Sequence, residues 1–464
     1  MVFSPFLRSH WVHDSYLIRM YGYRYMVKAG INAGRPVTSL FYTILDGVGL
    51  PYRWTMALSV SATVVLLSFA AFIVFYMARS RISDGEHDIK RDALLFMGSM
   101  SIFFNLFLPD SLLFFENSVV ALGVLLTVIS CLLFVRGGRL NLGLSLAFHV
   151  AGVFCYQSDI SYFLPFVILF TFMGSKHSVK SAALRLSIAC GFYAAAMAAN
   201  YGFIRLVGSN DRRVTGGFDL GENLRLCGET LGNFFRDNFG FMPDYLFTLF
   251  LLAFTAVLVY NAVRSRKYSP LIVTGVSVAA LIVCALLPHL PMRHFYVMPR
   301  SGIALAAMGG LLMVCAAMTS RKVKTPIVLL FALFILVIGQ RQIDIQKNNY
   351  ANNHMDMREV AYIGDAILHY EAESGIPVAK IVAALDPAPQ FFRPYLKNYE
   401  DITIRVLTVP WMVHPMVSEY LGRDYVDEFM EFDEFKERFG GGGTAGPDFA
   451  QLVFVDDVLY ICIY

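Results

Sequence analysis

Ten apolar runs of membrane length, or close to it, follow one another between positions 54 and 340, and a chain built this way has little choice of solvent. They cover 54–78, 93–108, 118–135, 140–155, 160–174, 183–206, 244–262, 270–287, 301–319 and 325–340. A bilayer core takes about 20 helical residues. The second, fourth and fifth runs fall short of that, so they borrow neighbours, thin the bilayer or lie partly re-entrant. Charged residues make up 16% of the 464, well under the roughly 25% of soluble domains. The fold class that follows is an α-helical polytopic membrane protein of about ten spans.

Lys and Arg in short loops set orientation. One set of loops carries Arg79, Arg81, Lys90, Arg91, Arg136, Arg139, Lys176, Lys180, Arg185, Arg264, Arg266, Lys267, Arg321, Lys322 and Lys324. The alternate short loops, 109–117, 156–159 and 288–300, carry only Arg293 and Arg300. Fifteen against two makes the first set cytoplasmic. The polar head 1–53, the loop 207–243 and the tail 341–464 are then extracytoplasmic. No signal peptide precedes the first apolar run. The net charge of +3 is too small to suggest a nucleic-acid partner.

Three regions result: the head 1–53, a multispan domain 54–340, and a small extracytoplasmic C-terminal α/β domain over 341–464. In the tail, 356–373 has helical apolar spacing. The stretches 378–385, 402–409 and 452–464 read as buried strands, and 440–443 as a flexible loop. The seven Cys have no C-x-x-C or ligand spacing, and most pack as small apolar residues. Only Cys227 and Cys462 lie outside the apolar runs, and a bridge between them has no support in their spacing.

Within the spans the main polar residues are Asn105 and His149, both expected in helix–helix hydrogen bonds. Ionisable groups at mid-membrane are scarce, which weighs against a transport path. The polar chemistry collects instead on the outer face. The head offers His13, Asp14, Arg19 and Arg35; the next outer loop, Asp110 and Glu116; the tight turn, Tyr156, Gln157, Ser158 and Asp159; the last, Arg293, His294, Tyr296 and Arg300. Such a face can take a lipid-borne group from the bilayer and hand it to an acceptor in water. Arg suits the donor phosphate, because its planar fork binds two oxygens at once. A carboxylate such as Asp14, with Asp110 or Glu116 as a second, can act as general base on the acceptor hydroxyl. Plainer readings stand beside these: a solvated Asp14, a turn at Gly34-Arg35-Pro36, span-end anchors at Arg293 and Arg300, a helix N-cap at Asp110.

Asp14, Arg19, Tyr21-Gly22-Tyr23 and Gly34-Arg35-Pro36, with Tyr156-Gln157-Ser158, resemble the outer loops of the bacterial Gtr-type (GtrII-like) glucosyltransferases. The resemblance runs through the span pattern to about residue 340. It implies a membrane enzyme of the GT-C class in the bacterial plasma (inner) membrane, with the site and the tail outside. Such an enzyme moves a sugar, typically glucose, from a polyprenyl-phosphate carrier to a cell-surface polysaccharide such as O-antigen. It implies Asp14 as catalytic base. The family pattern often pairs two acids, and His13 stands where the first would be. The family also has a span before this loop, so one further N-terminal helix is expected upstream of this start.

The expected function is therefore a polyprenyl-phosphate-dependent glycosyltransferase. Asp14, Asp110 and Glu116 are its catalytic candidates. His13, Arg19, Arg35, Tyr156, Gln157, Arg293, His294 and Arg300 are its substrate-binding candidates. No metal or other cofactor is expected, because a polyprenyl monophosphate does not demand one. The partners are the lipid-linked donor, a glycan acceptor and membrane lipid. The rival readings are a lipid-linked-sugar flippase, which needs a polar path through the spans, and a non-catalytic envelope scaffold, whose outer loops need not converge.

Overall fold

The computed structural model describes residues 13–82, 88–173, 179–208, 219–293, 295, 297–320, 324–385, 405–440 and 450–463. The chain divides into two compact units. Among the described residues, the first holds 26–342 and the second holds 13–25 with 343–463. The division runs through the head, so 1–53 is not one body: its early part belongs with the tail.

The helices in chain order begin with α1 (His13–Tyr21), α2 (Tyr23–Asn32), α3 (Pro36–Val48), α4 (Tyr52–Arg79), α5 (Ile89–Phe103) and α6 (Leu108–Leu112). Then come α7 (Asn117–Arg136), α8 (Arg139–Cys155), α9 (Phe163–Phe172), α10 (Val179–Leu206), α11 (Leu220–Asp237) and α12 (Leu246–Ser265). Next are α13 (Ser269–Leu286), α14 (Ile303–Ala306), α15 (Met308–Thr319) and α16 (Thr325–Ser374). A 3-10 turn, Gln157–Tyr162, joins α8 to α9. Among the described residues, six helices are long and apolar enough to cross a membrane: α4, α7, α10, α12, α13 and α16. The runs read as short are short helices, with 15 residues in α5, 17 in α8 and 10 in α9. The architecture is mostly helical, with a small sheet, and is compatible with a helical membrane protein.

Small residues bring the first unit's helices together. Gly123 on α7 and Gly152 on α8 approach so closely that a Cβ on either would lie 3.0 Å from the other's carbonyl oxygen. Gly98 on α5 and Gly310 on α15 also let helices close in: a Cβ at Gly98 would press on Val314 and Met313, and one at Gly310 would overlap the backbone of Ser101 and Ile102. For helices in lipid, whose tails supply no hydrophobic drive, close backbone packing and interhelical hydrogen bonds are what hold a bundle together. Ser59 and Thr63 on α4 both donate to Asn117 Oδ1 at the start of α7, at 2.7 and 2.6 Å. Asn105 takes its expected role, its side chain donating to Ile303 O at 3.1 Å, while its backbone carbonyl accepts from Gln342 Nε2 at 2.7 Å. His149 departs from expectation: neither ring nitrogen has a partner among the described residues, and the ring stacks on Phe163 at 4.1 Å. Aromatic packing at Phe163 and Tyr193 holds it instead of a hydrogen bond.

The second unit is built on a four-stranded sheet. β1 (Lys380–Leu385) pairs in parallel with β2 (Val426–Phe429) and β4 (Val458–Ile463), and β3 (Ala450–Val455) adds antiparallel to β4. Strand alternation sends Ile381, Ala383, Leu459 and Ile461 to one face. There they pack with Val360, Ile363 and Ile367 of α16, Met416 and Val417 of α17 (Val413–Leu421), and Tyr16 of α1. Ala384 and Cys462 face the other way, against Phe435 of α18 (Phe432–Phe439).

Two strand readings are corrected. In 402–409 the described part is 3-10 at Val406–Thr408, and a second 3-10 turn follows at Pro410–Met412. Buried Arg405 is tied to Asp356 and Glu359 on α16, and Val406 N–H to Asp356 Oδ2, so no sheet partner is available. The stretch 452–464 is a hairpin, not one strand, turning at Asp456 (φ 53°). All seven cysteines are free thiols. Residues 441–443 lie outside the described residues.

Candidate functional site

The Gly34-Arg35-Pro36 step is where local chemistry aims a cation. Gly34 has φ +74°, and a Cβ there would overlap Ile204 of α10, so glycine serves both the left-handed backbone and the close approach. Its carbonyl accepts from Asn200 Nδ2 at 2.6 Å. Pro36 opens α3 at the first helical position, where a missing N–H costs nothing. Between them Arg35 projects onto the 3-10 turn. Its Nε–H donates to Gln157 Oε1 at 3.0 Å, and its guanidinium lies 4.3 Å over the Tyr156 ring. Gln157 is fixed in turn, donating through Nε2 to Ala33 O. The two terminal nitrogens of Arg35 have no hydrogen-bond partner among the described residues. The result is a stacked, oriented guanidinium with its fork unused.

Two turns along α3, about 10 Å of helix axis, Tyr42 donates its hydroxyl to Glu116 Oε2 at 2.6 Å. Glu116 is half-buried, and its other oxygen has no partner among the described residues. Thr38, between them on the same helix, donates to Cys155 O at 3.0 Å and holds α3 on the end of α8. Asp110 is buried and accepts from Arg300 N–H at 2.7 Å, with the Arg300 guanidinium at 3.9 Å. Arg300 also stacks over Phe114 at 4.2 Å. Side-chain bonds thus knit together 33–42, 105–117, 155–162 and 300–303, segments far apart in sequence that all fall in the first unit.

Asp159, at the centre of the 3-10 turn, has 0% exposure, and neither carboxylate oxygen has a partner among the described residues. Burial pushes its carboxyl up from the ordinary range, and the charge of Arg35 pulls the other way. Gly123 makes room for it; a Cβ there would overlap Oδ2.

The structure thus joins Arg35 to Tyr156 and Gln157, Glu116 to Tyr42 further along α3, and Asp110 to Arg300. Arg293 is exposed. Arg19 belongs to the second unit, where it forms an ion pair with Glu419 of α17. It was read with Arg35 because both lie in the polar head, but α1 is an integral helix of the second unit. His13 and Asp14 begin α1, and their side chains lie outside the described residues, as do His294 and Tyr296. Thr38 and Tyr42 are legible in the sequence only as one polar face of α3, three and seven residues after Arg35. Among the described residues, no group of three or more His, Cys, Asp or Glu is placed to hold a metal ion. The chain matches no known family profile, no curated protein and no solved structure.

Proposed function

We propose that this chain is a polytopic membrane glycosyltransferase, of the Gtr-like GT-C kind, that moves a sugar from a polyprenyl-phosphate carrier to a cell-surface glycan. Glucose is the sugar the sequence resemblance favours. The observation that carries the reading is Arg35: a guanidinium oriented by Gln157 and Tyr156, with its terminal nitrogens unengaged. A phosphate is an anion that such a fork fits. In the donor it is a diester, and the second negative charge that develops on it as the sugar departs is what an oriented cation stabilises.

Glu116 is the base that the first unit itself offers. Tyr42 holds one oxygen and leaves the other for an acceptor hydroxyl. Asp14 keeps the role implied by the resemblance, as a second candidate. Asp110 is buried and committed to Arg300, so in this reading it fixes the loops and does not move protons. The charge bias of the loops supports an extracytoplasmic site, and the bacterial plasma membrane is what the sequence resemblance implies.

The test compares surface glycans by mass spectrometry from cells with and without the protein. Loss of one hexose, restored by the wild-type gene but not by Arg35→Ala, is the expected result. Unchanged glycans would sink the proposal.

A further inference from the structure

We infer that the cleft between α11 and the start of α12 is a carbohydrate subsite that holds a neutral, hydroxyl-rich stretch of the acceptor glycan. The inference deepens the glycosyltransferase reading, on which it rests, and concerns residues that reading does not use.

The cleft has a volume of about 590 Å³, within the roughly 300–1,000 Å³ of small-molecule sites. Its lining follows from helix geometry. Glu229, Gly232, Asn233 and Arg236 fall at i, i+3, i+4 and i+7, so they share one face of α11. Tyr245 and Thr248 line the cleft from the side of α12. Gly232 leaves the floor open, since a Cβ there would meet nothing within 4 Å. Tyr245 stands at φ 62°, a left-handed backbone that residues other than glycine rarely take. Its N–H is tied to Arg236 O, and the turn presents its ring exposed.

The polar groups around that ring are unengaged. The Asn233 amide, the Tyr245 hydroxyl and both terminal nitrogens of Arg236 have no hydrogen-bond partner among the described residues. Arg236 gives only its Nε–H, to buried Asp237. A sugar ring offers C–H groups to an aromatic face and paired hydroxyls to an amide or a guanidinium fork, and this cleft holds all three. Charge selects against an anion: Glu229 lines the same cleft as Arg236 and would repel one. The position suits an acceptor. Asn223 Nδ2, near the start of α11, donates to Leu290 O and Met292 O, both at 2.8 Å. Near its end Phe234 packs on Phe107, which leads into α6, with ring centroids 6.0 Å apart. α11 is thereby fixed to the two loops that carry Arg293 and Asp110.

The probe is the lipid-free surface polysaccharide released by mild acid from cells lacking the protein. Its binding to the full chain is measured by titration calorimetry in a detergent without a sugar headgroup. Tyr245→Gly removes the ring and suits the left-handed backbone. Gly232→Leu keeps the helix and fills the floor. Each should bind the polysaccharide at least about tenfold more weakly, as for loss of an anchor group, with the melting temperature unchanged or raised. Raising salt from about 0.05 to 0.5 M should leave wild-type binding nearly unchanged, because a neutral ligand has no charge to screen. Wild-type binding that either folded variant retains overturns the inference. So does wild-type binding that is absent or falls steeply with salt. The glycosyltransferase reading then stands or falls separately, on the mass-spectrometric comparison of surface glycans.

Discussion

Arg35 donates its Nε–H to the side-chain oxygen of Gln157 across 122 positions of sequence. The same amide reaches back to Ala33 O, so one glutamine fixes both the cation and the turn that presents it. A hydrogen bond to a charged group contributes about 1.5–3 kcal/mol. Gln157→Ala should lower transfer by roughly tenfold to a hundredfold, mostly in kcat, because the fork remains but is no longer aimed. Arg35→Lys should not recover activity, since an ammonium neither stacks on Tyr156 nor offers two parallel N–H bonds. Membrane assays with a polyprenyl-phosphate sugar check both, and full activity in Arg35→Lys would count against a bidentate role.

In the proposed reaction Glu116 is the base and Tyr42, which donates to it, is its support. Glu116→Gln should lower kcat by about 10²–10⁴ with little change in KM, the span of general-base contributions. Tyr42→Phe leaves the carboxylate in place and removes one hydrogen bond, so its loss should be roughly tenfold. Equal losses in both variants would show that the pair acts only as a structural tie.

Much of this was legible from residue types. The apolar runs are helical, and among the described residues six of the helices are long and apolar enough to cross a membrane, where backbone groups would have no other partner. Gly34, Arg35 and Pro36 could be read as a turn, and the Tyr156-Gln157 pair as a polar turn between apolar runs. That these two turns touch was not readable, because it depends on α10 contacting Gly34 and on Thr38 reaching Cys155. The burial of Asp159 depends on the Gly123–Gly152 approach, a contact between helices that carries no local signal. In the tail, β1 was visible as an apolar run. β2 was not, because Val426–Phe429 is an exposed edge without alternation. Arg405 sits in a strand-like stretch, and only its burial against α16 turns that stretch into 3-10 geometry. The early head looked continuous with Arg35 in sequence, yet Tyr16 is a core residue of the second unit.

Gly34→Ala tests the turn directly. The residue would be forced to φ +74° and its Cβ into Ile204. A non-glycine residue held in that region costs about 1–3 kcal/mol, and the overlap adds to it. The melting temperature in detergent should drop clearly. Gly47→Ala is the internal control: it is helical, with nothing within 4 Å of the added methyl, and should be neutral or stabilising by up to about 1 kcal/mol. Equal melting temperatures for the two variants would contradict the conformation of Gly34.

Arg405 is 1% exposed and bonds to both Asp356, at 2.9 Å, and Glu359. Burial pushes the carboxyls of Asp356 and Glu359 up from their ordinary range, and Arg405 pulls both back down. Arg405→Met leaves two buried carboxylates without their cation, and breaking such a group costs about 3–5 kcal/mol. The pH dependence has a definite sign. An acid whose folded-state pKa is raised destabilises the fold fully above that pKa, and ceases to do so below its unfolded value, roughly 4. Without Arg405 the folded-state values rise further. The deficit of Arg405→Met relative to wild type should therefore be largest at neutral pH and shrink as pH falls toward 4. Melting temperatures of the two proteins, measured side by side from pH 7.5 to about 4.5, check this. A deficit that stays constant or widens on acidification would mean that the carboxylates are not what Arg405 holds in place.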